Sequence, residues 1–252
     1  MYVDLNADMG ESFGSWKMGD DAQLLDIVTS ANVACGFHAG DPDVMMKTMA
    51  LAEKNGVGIG AHPGFADLQG FGRYRLNIPV LTLQNQIRYQ IGAASAIAQA
   101  AGTQLRHIKL HGALSNMASE NEHMARACYE AALSVAPNLA IMVLAGTAQM
   151  DAVKHLGCNW VGEIFADRAY NDDGTLVDRS LPGAVIHDAA EAGLRIAKMI
   201  KEGSIITQSG KRIITDIHTV CLHGDTPEAI DIAKSVRSAL EESGIGLQKF
   251  AI

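Results

Sequence analysis

Apolar runs of strand length recur along the chain at Tyr2–Asn6, Asn32–Cys35, Val57–Ala61, Leu105–Leu110, Ala140–Leu144, Trp160–Phe165 and Thr219–Leu222. They read as continuous rather than alternating, the pattern of strands buried on both faces. Amphipathic stretches of helical period lie between them. In Pro42–Asn55, Val44, Met45, Met49 and Ala52 share one face; Asp41 is placed to cap the first turn, Pro42 suits the first helical position and Gly56 suits the stop. The last helix repeats the arrangement, with Thr226 as cap, Pro227 first, Ala229, Ala233, Val236 and Leu240 on one face, and Gly244 beyond the end. Strand–helix alternation along the whole chain predicts right-handed βαβ units and a parallel sheet. About seven such units in 252 residues match the size of a closed barrel. The tract Ser204–Ile214 departs from the alternation, and its two β-prone pieces around Ser209-Gly210 predict a hairpin. The loop Ala166–Pro182 is long and polar, as a lid or a binding loop is. No linker or composition shift divides the chain, so residues 1–252 are expected to form a single domain.

Composition narrows the partners more than the fold. Hydrophobic residues make up 48% of the chain and charged residues 19%, enough apolar surface for a packed core. A net charge of −8 argues against nucleic acid as a partner, since phosphate binding needs a basic face. A small anion held by a few placed cations is not excluded. Met1 leads straight into a strand-like run without a basic, apolar leader, and the apolar stretch Ile91–Ala101 is too short for a bilayer, so neither a signal peptide nor a membrane span is expected. The four cysteines show no CxxC or framework spacing. Cys35 and Cys221 read as buried small hydrophobes, and a reducing, cytoplasmic setting is expected.

The chemistry gathers after the strands. His38, His62, His111 and His223 each follow an apolar run and have glycine close by, and the first run leads to Asp8 and Glu11 instead. In a parallel α/β fold the ligand lies beyond the carboxyl ends of the strands. Asp8, Glu11, His38, Asp41, His62, Lys109, His111, Glu163, Asp167, His223 and Asp225 are therefore expected around one rim. His38 and His62 with Asp8 have the composition of a two-histidine, one-carboxylate site for a divalent metal. The competing reading is a metal-free site whose histidines hold substrate and move protons. Lys109 and His111 alternate along one predicted strand, so one face offers a fixed cation beside a titratable base. Arg73 and Arg168 lie in loops where either could clamp a carboxylate. His107, His123, His155, His187 and His218 read as structural, and Cys35 beside His38 reads as core rather than nucleophile. The chain has no GxxxxGK[ST], GxGxxG or GxSxG motif, so nucleotide binding has no support from a local motif.

The ordered segments LNADMGE (Leu5–Glu11), SANVACGFHAGD (Ser30–Asp41), GVGIGAHPGF (Gly56–Phe65), FGR (Phe71–Arg73), KLHGALSN (Lys109–Asn116), EIFADRAY (Glu163–Tyr170) and VCLHGD (Val220–Asp225) resemble the LamB/YcsF family from residue 4 to about residue 245. The family more usually has Pro where Leu110 stands and Tyr where Ser115 stands; the Lys109–His111 pair is unaffected. The resemblance implies a TIM-barrel-like, seven-stranded β/α barrel of the glycoside hydrolase/deacetylase kind. It also implies ATP-dependent hydrolysis of the 5-oxoproline lactam to L-glutamate, with ATP (and Mg) as co-substrate and with 5-oxoprolinase subunits B and C as partners. On that reading Asp8, Glu11, Lys109 and His111 are the expected catalytic residues, and His38, His62, Arg73, Arg168 and His223 the expected substrate-binding ones. Two rival readings are a stand-alone metal-dependent deacetylase or amidohydrolase, and a binding protein that delivers a small carboxylic acid to its partners.

Overall fold

The computed structural model describes residues 1–223 and 229–251. Seven parallel strands close on themselves: β1 (Tyr2–Met9), β2 (Ser30–Ala34), β3 (Gly58–His62), β4 (His107–Lys109), β5 (Ala140–Leu144), β6 (Trp160–Phe165) and β9 (Thr219–Leu222), with β9 pairing both β6 and β1. A two-residue strand, β10 (Gly246–Leu247), lies parallel to the start of β1. The helices α1 (Asp21–Leu25), α2 (Pro42–Lys54), α3 (Val80–Ala100), α4 (Gly112–Glu120), α5 (Glu122–Val135), α6 (Ala148–Leu156), α7 (Ala189–Glu202) and α8 (Ala229–Glu242) lie between strands in the sequence. This is the expected α/β barrel. The hairpin expected around Ser209-Gly210 is present as β7 (Ser204–Ile206) and β8 (Arg212–Ile214). No helix among the described residues is long and apolar enough to cross a membrane, and all four cysteines are free thiols.

Local signals decide the helix ends. Asp41 accepts from the amides of Asp43 and Val44, each at 2.9 Å, with Pro42 opening α2 and Gly56 following its end at φ 67°. The expected cap Thr226 and first residue Pro227 of the last helix lie outside the described residues.

The strands differ from expectation in one respect that matters for the site. β1 alternates: Val3, Leu5, Ala7 and Met9 belong to the apolar core, while Asp4, Asn6 and Asp8 point into the lumen. The polar three remain buried because the lumen supplies partners. Asp4 accepts from Ser30 (2.7 Å) and Thr219 (2.5 Å), and Asn6 donates to Thr219 (2.8 Å). Asn32 donates to Asn6 (2.7 Å) and Asp8 (2.9 Å), and the His107 Nε2 meets Asn32 Oδ1 at 2.7 Å. An apolar plug of Ala140, Met142, Val161 and Phe250 shares the interior. Buried polar groups are tolerated only when hydrogen-bonded; this ladder satisfies them between β1 and its neighbours β2 and β9, with His107 of β4 reaching past β3 to Asn32 of β2.

Gly60 on β3 makes room for that ladder, because a Cβ there would overlap the His107 ring. Gly60→Ala is expected to cost about 1–3 kcal/mol by overpacking, read as a lower urea midpoint. An unchanged midpoint would mean that His107 is free to swing aside.

Candidate active site

A cavity of about 550 Å³ opens at the carboxyl end of the barrel. Asp8, Glu11, His62, Lys109, His111, Phe165 and His223 line its depth, and Arg73, Arg75, Arg168 and Arg179 also line it. Those strand-end positions are brought together by topology, since parallel strands deliver their last residues to one face. The long polar loop contributes Arg168, Asn171, Thr175, Leu176, Val177, Asp178, Arg179 and Ser180 to the wall, as a binding loop would.

Lys109 is the hub of the lower layer. Its ammonium donates to Asp8 Oδ1 (2.9 Å) and Cys221 Sγ (2.9 Å), pairs with Glu163 Oε1 (2.9 Å), and approaches Asn6 Oδ1 at 3.4 Å. Burial opposes its charge, but Asp8, Cys221 and Glu163 hold its pKa well above the usual lysine value. The two carboxylates respond in opposite directions. Burial would raise Asp8, yet His62 and Lys109 hold it well below the ordinary carboxylate range. Glu163 is raised, because burial and the neighbouring Asp8 charge outweigh the pull of Lys109. One cation between two acids thus leaves Asp8 as the firmly ionised member.

Lys109 and His111 do not share a strand as expected. β4 ends at Lys109, and His111 sits in extended backbone before α4. Its Nε2 donates to the Phe71 carbonyl (2.8 Å), and its Nδ1 faces His62 Nε2 at 3.0 Å. Phe71 is the only non-glycine residue with positive φ among the described residues (φ 55°). Such backbone costs about 1–3 kcal/mol and persists where surroundings enforce it. Here it turns a carbonyl onto His111. Gly72 follows at φ 64°, and a Cβ there would lie 2.7 Å from the His38 Cβ and 2.8 Å from His111 Cδ2.

His38 is 1% exposed and does not line the cavity. Its ring stacks on His111 with centroids 3.6 Å apart and an interplanar angle of 4°. Burial, with His111 and His62 close by, holds its pKa well below the ordinary imidazole range; His111 is lowered by burial and by His62. His38, expected among the substrate-binding residues, thus packs against His111 and does not itself line the cavity.

The expected metal set of His38, His62 and Asp8 is also regrouped. Asp8 Oδ2 does lie 3.4 Å from His62 Nε2. The carboxylate that clusters with His38, His62 and His111 is Glu11, with its Oε1 4.0 Å from both His38 Nε2 and His111 Nδ1. Asp8 clusters instead with Cys221 and His223. Asp41 stays at this end of the barrel but does not line the cavity, because its carboxylate caps α2 and accepts from Gly14 (2.8 Å). Asp225 lies outside the described residues.

On the opposite wall His223 Nδ1 contacts both oxygens of Asp167 (2.7 and 2.8 Å), and Arg179 donates to its Nε2 at 3.2 Å. A carboxylate on Nδ1 fixes the proton there and presents Nε2 as the acceptor. Arg168 is 4% exposed and donates to the Val177 carbonyl (2.6 Å); burial, with Arg179 near, brings its pKa down to about 10. Arg73 is exposed and stacks over Phe71 at 4.9 Å. Arg75 pairs with Glu120. Cys35 is buried with its thiol pushed up to about 12, which suits core rather than nucleophile. Sequence reasoning missed Asn6, Asn32, Phe71 and Arg179 as individuals. The alternation VDLNADM signals the first of them, whereas Arg179 carries no local signal.

The sequence profile of the LamB/YcsF family matches residues 3–252. A protein from Ruegeria pomeroyi, named as the A subunit of 5-oxoprolinase, is 67% identical over 248 residues, covering 98% of this chain and 98% of that one. Another of the same name from Rhodopseudomonas palustris (strain BisB5) is 51% identical, covering 100% of this chain and 99% of its own. The crystal structure of a lactam utilization protein from Thermus thermophilus superposes with a TM-score of 0.92 at 41% identity, covering 99% of this chain and 100% of that chain.

Proposed function

Because this chain belongs to the LamB/YcsF family, we propose that it is the A subunit of an ATP-dependent 5-oxoprolinase and opens the lactam of 5-oxoproline to L-glutamate together with partner subunits B and C. The observation that carries this reading is the cavity itself: an ionised carboxylate and paired imidazoles at its depth, arginines along its wall, in a chain of net charge −8. Concentrating the arginines there suits a small anionic substrate.

The substrate chemistry asks for those parts. A five-membered lactam is a poor electrophile. Transfer of the γ-phosphoryl group of ATP to the lactam oxygen leaves ADP and a better electrophile. Water then adds to the activated carbon, and the ring C–N bond breaks with a proton delivered to nitrogen. This yields γ-glutamyl phosphate, which a second water hydrolyses to glutamate and phosphate. In this scheme an arginine of the wall, Arg73 or Arg179, holds the α-carboxylate. Asp8, Glu11 or His111 takes the proton from water, and the cationic wall stabilises the anionic oxygens. Lys109 acts through Asp8, since its own donors are engaged. ATP is placed where the partner subunits meet the rim. The exposed Trp16, Leu68, Tyr74 and Leu181 lie on loops that follow the carboxyl ends of β1, β3 and β6, which suits a partner docked over the cavity.

A second reading, metal-assisted amide hydrolysis without ATP, is favoured by the convergence of His38, His62, His111 and Glu11. One reconstitution separates the two. Glutamate release from 5-oxoproline is expected only when this chain, both partner subunits and ATP are combined. Turnover by the partners without this chain would overturn the proposed role, and turnover by this chain without ATP would select the second reading.

A further inference from the structure

Hydrogen-bond accounting at the base of the cavity sets two imidazole lone pairs against each other. The His62 Nδ1 lies 2.7 Å from the Lys109 carbonyl, and the His111 Nε2 lies 2.8 Å from the Phe71 carbonyl. A carbonyl only accepts, so each of those nitrogens carries its ring's proton. When both rings are neutral, the remaining nitrogens, His62 Nε2 and His111 Nδ1, are both lone pairs, yet they face each other at 3.0 Å, with Asp8 Oδ2 a further 3.4 Å from His62 Nε2, so a positive charge is called for at this point. Two lone pairs at that distance repel unless something positive sits against both. Beside them His38, 1% exposed, has neither ring nitrogen hydrogen-bonded. Its Nε2 faces Glu11 Oε1 at 4.0 Å, the same separation that divides Glu11 from His111 Nδ1.

We propose that His38 Nε2, His62 Nε2, His111 Nδ1 and Glu11 bind one borderline divalent transition-metal ion, such as Zn²⁺, at the base of this cavity. Ligand atoms bound at about 2.1 Å can be no more than about 4.2 Å apart across a shared ion. Three of the six separations, 3.0, 4.0 and 4.0 Å, meet that limit; the other three lie within 4.8 Å, so closing on a shared ion needs only a small inward movement of these side chains. Two of the three imidazoles already donate their other nitrogen to a backbone carbonyl, the arrangement that orients a metal-binding histidine. Three neutral imidazoles and a carboxylate suit Zn, Co, Ni, Fe or Mn and disfavour Mg or Ca, which prefer all-oxygen sites. Glu11, His62 and His111 line the cavity, so the ion borders the space where substrate binds. When bound, it supplies Lewis-acid polarisation of a carbonyl or of water. The site follows from these four side chains and does not depend on the lactam being the substrate.

The test is metal content of full-length, tag-free protein purified without chelator, followed by removal of metal and titration with Co²⁺. About one equivalent of metal, a visible cobalt spectrum and a raised melting temperature are expected. Glu11→Gln keeps the side chain's shape and is expected to weaken cobalt binding at least about 10-fold; His38→Ala is expected to do the same or more. His155→Ala, on the exposed side of α6, should bind as the parent does. Protein that takes up no cobalt, its His62–His111 contact bridged by a proton alone, overturns the site, as does undiminished binding by both variants. Failure of this site and failure of the lactam reading are distinguishable. Metal binding without lactam turnover in the reconstituted complex sinks only the latter, and lactam turnover by protein that takes up no cobalt sinks only the former.

Discussion

Lys109→Met is expected to destabilise the protein by about 3–5 kcal/mol, the usual penalty for removing one partner of a buried ion pair. The variant keeps much of the side chain's volume but removes the charge that Asp8 and Glu163 share at 2.9 Å each. Both carboxylates are then buried without a cation. A pH dependence follows, with a definite sign. Glu163 already titrates above its usual value through burial and the Asp8 charge, and losing Lys109 raises it further. Between the unfolded-state pKa of glutamate and this raised value, the folded variant binds more protons than the unfolded chain. Its stability therefore falls as pH rises through that window. Urea unfolding of the variant from acid to neutral pH should show stability lost progressively, over a wider pH window and by more than in the parent, where Lys109 limits the rise of Glu163. A variant as stable as the parent at neutral pH would mean that the lumen admits water or another cation beside Asp8.

Asp8→Asn is expected to lower kcat of the reconstituted enzyme by about 10²–10⁴, the range for loss of a positioned proton acceptor, with little change in KM. Asp8 is the ionised member of the Asp8–Glu163 pair and lines the cavity. Asparagine keeps the size of the side chain and its bond from Asn32, and Lys109 keeps Glu163 as a partner. Folding should thus survive where the Lys109 variant suffers, and urea unfolding of the two variants tells chemistry from structure. A variant that retains most of its kcat removes Asp8 from the chemistry and leaves Glu11 or His111 to take the proton.

Much of the architecture is legible locally. Strand positions follow from short apolar runs between turns, and α2 follows from Asp41, Pro42 and Gly56, because caps and backbone preferences act over a few residues. Membership of the cavity is also legible for Asp8, Glu11, His62, Lys109, His111 and His223. Once strands are parallel, their carboxyl ends face one way. The lumen ladder is readable in the alternation of VDLNADM, although treating Tyr2–Asn6 as a continuous apolar run passes over it. His107 reads as structural and is, but as a rung of that ladder at the start of β4.

What each polar side chain does is not readable in the same way. That Lys109 is held by Asp8, Glu163 and Cys221, that His38 stacks behind His111, and that Glu11 rather than Asp8 joins the three histidines all depend on contacts across the closed barrel. The partners are far apart in sequence: Lys109 and Asp8 by 101 residues, Lys109 and Cys221 by 112, Asn6 and Thr219 by 213. Local chemistry by itself determined the elements and the end of the barrel where the reactive groups gather, because those follow from backbone period and strand direction. Only the tertiary structure decided which nitrogen faces which and which acid keeps its charge. Those are matters of ångström distances between groups that no local pattern couples, set when β9 closes against β1.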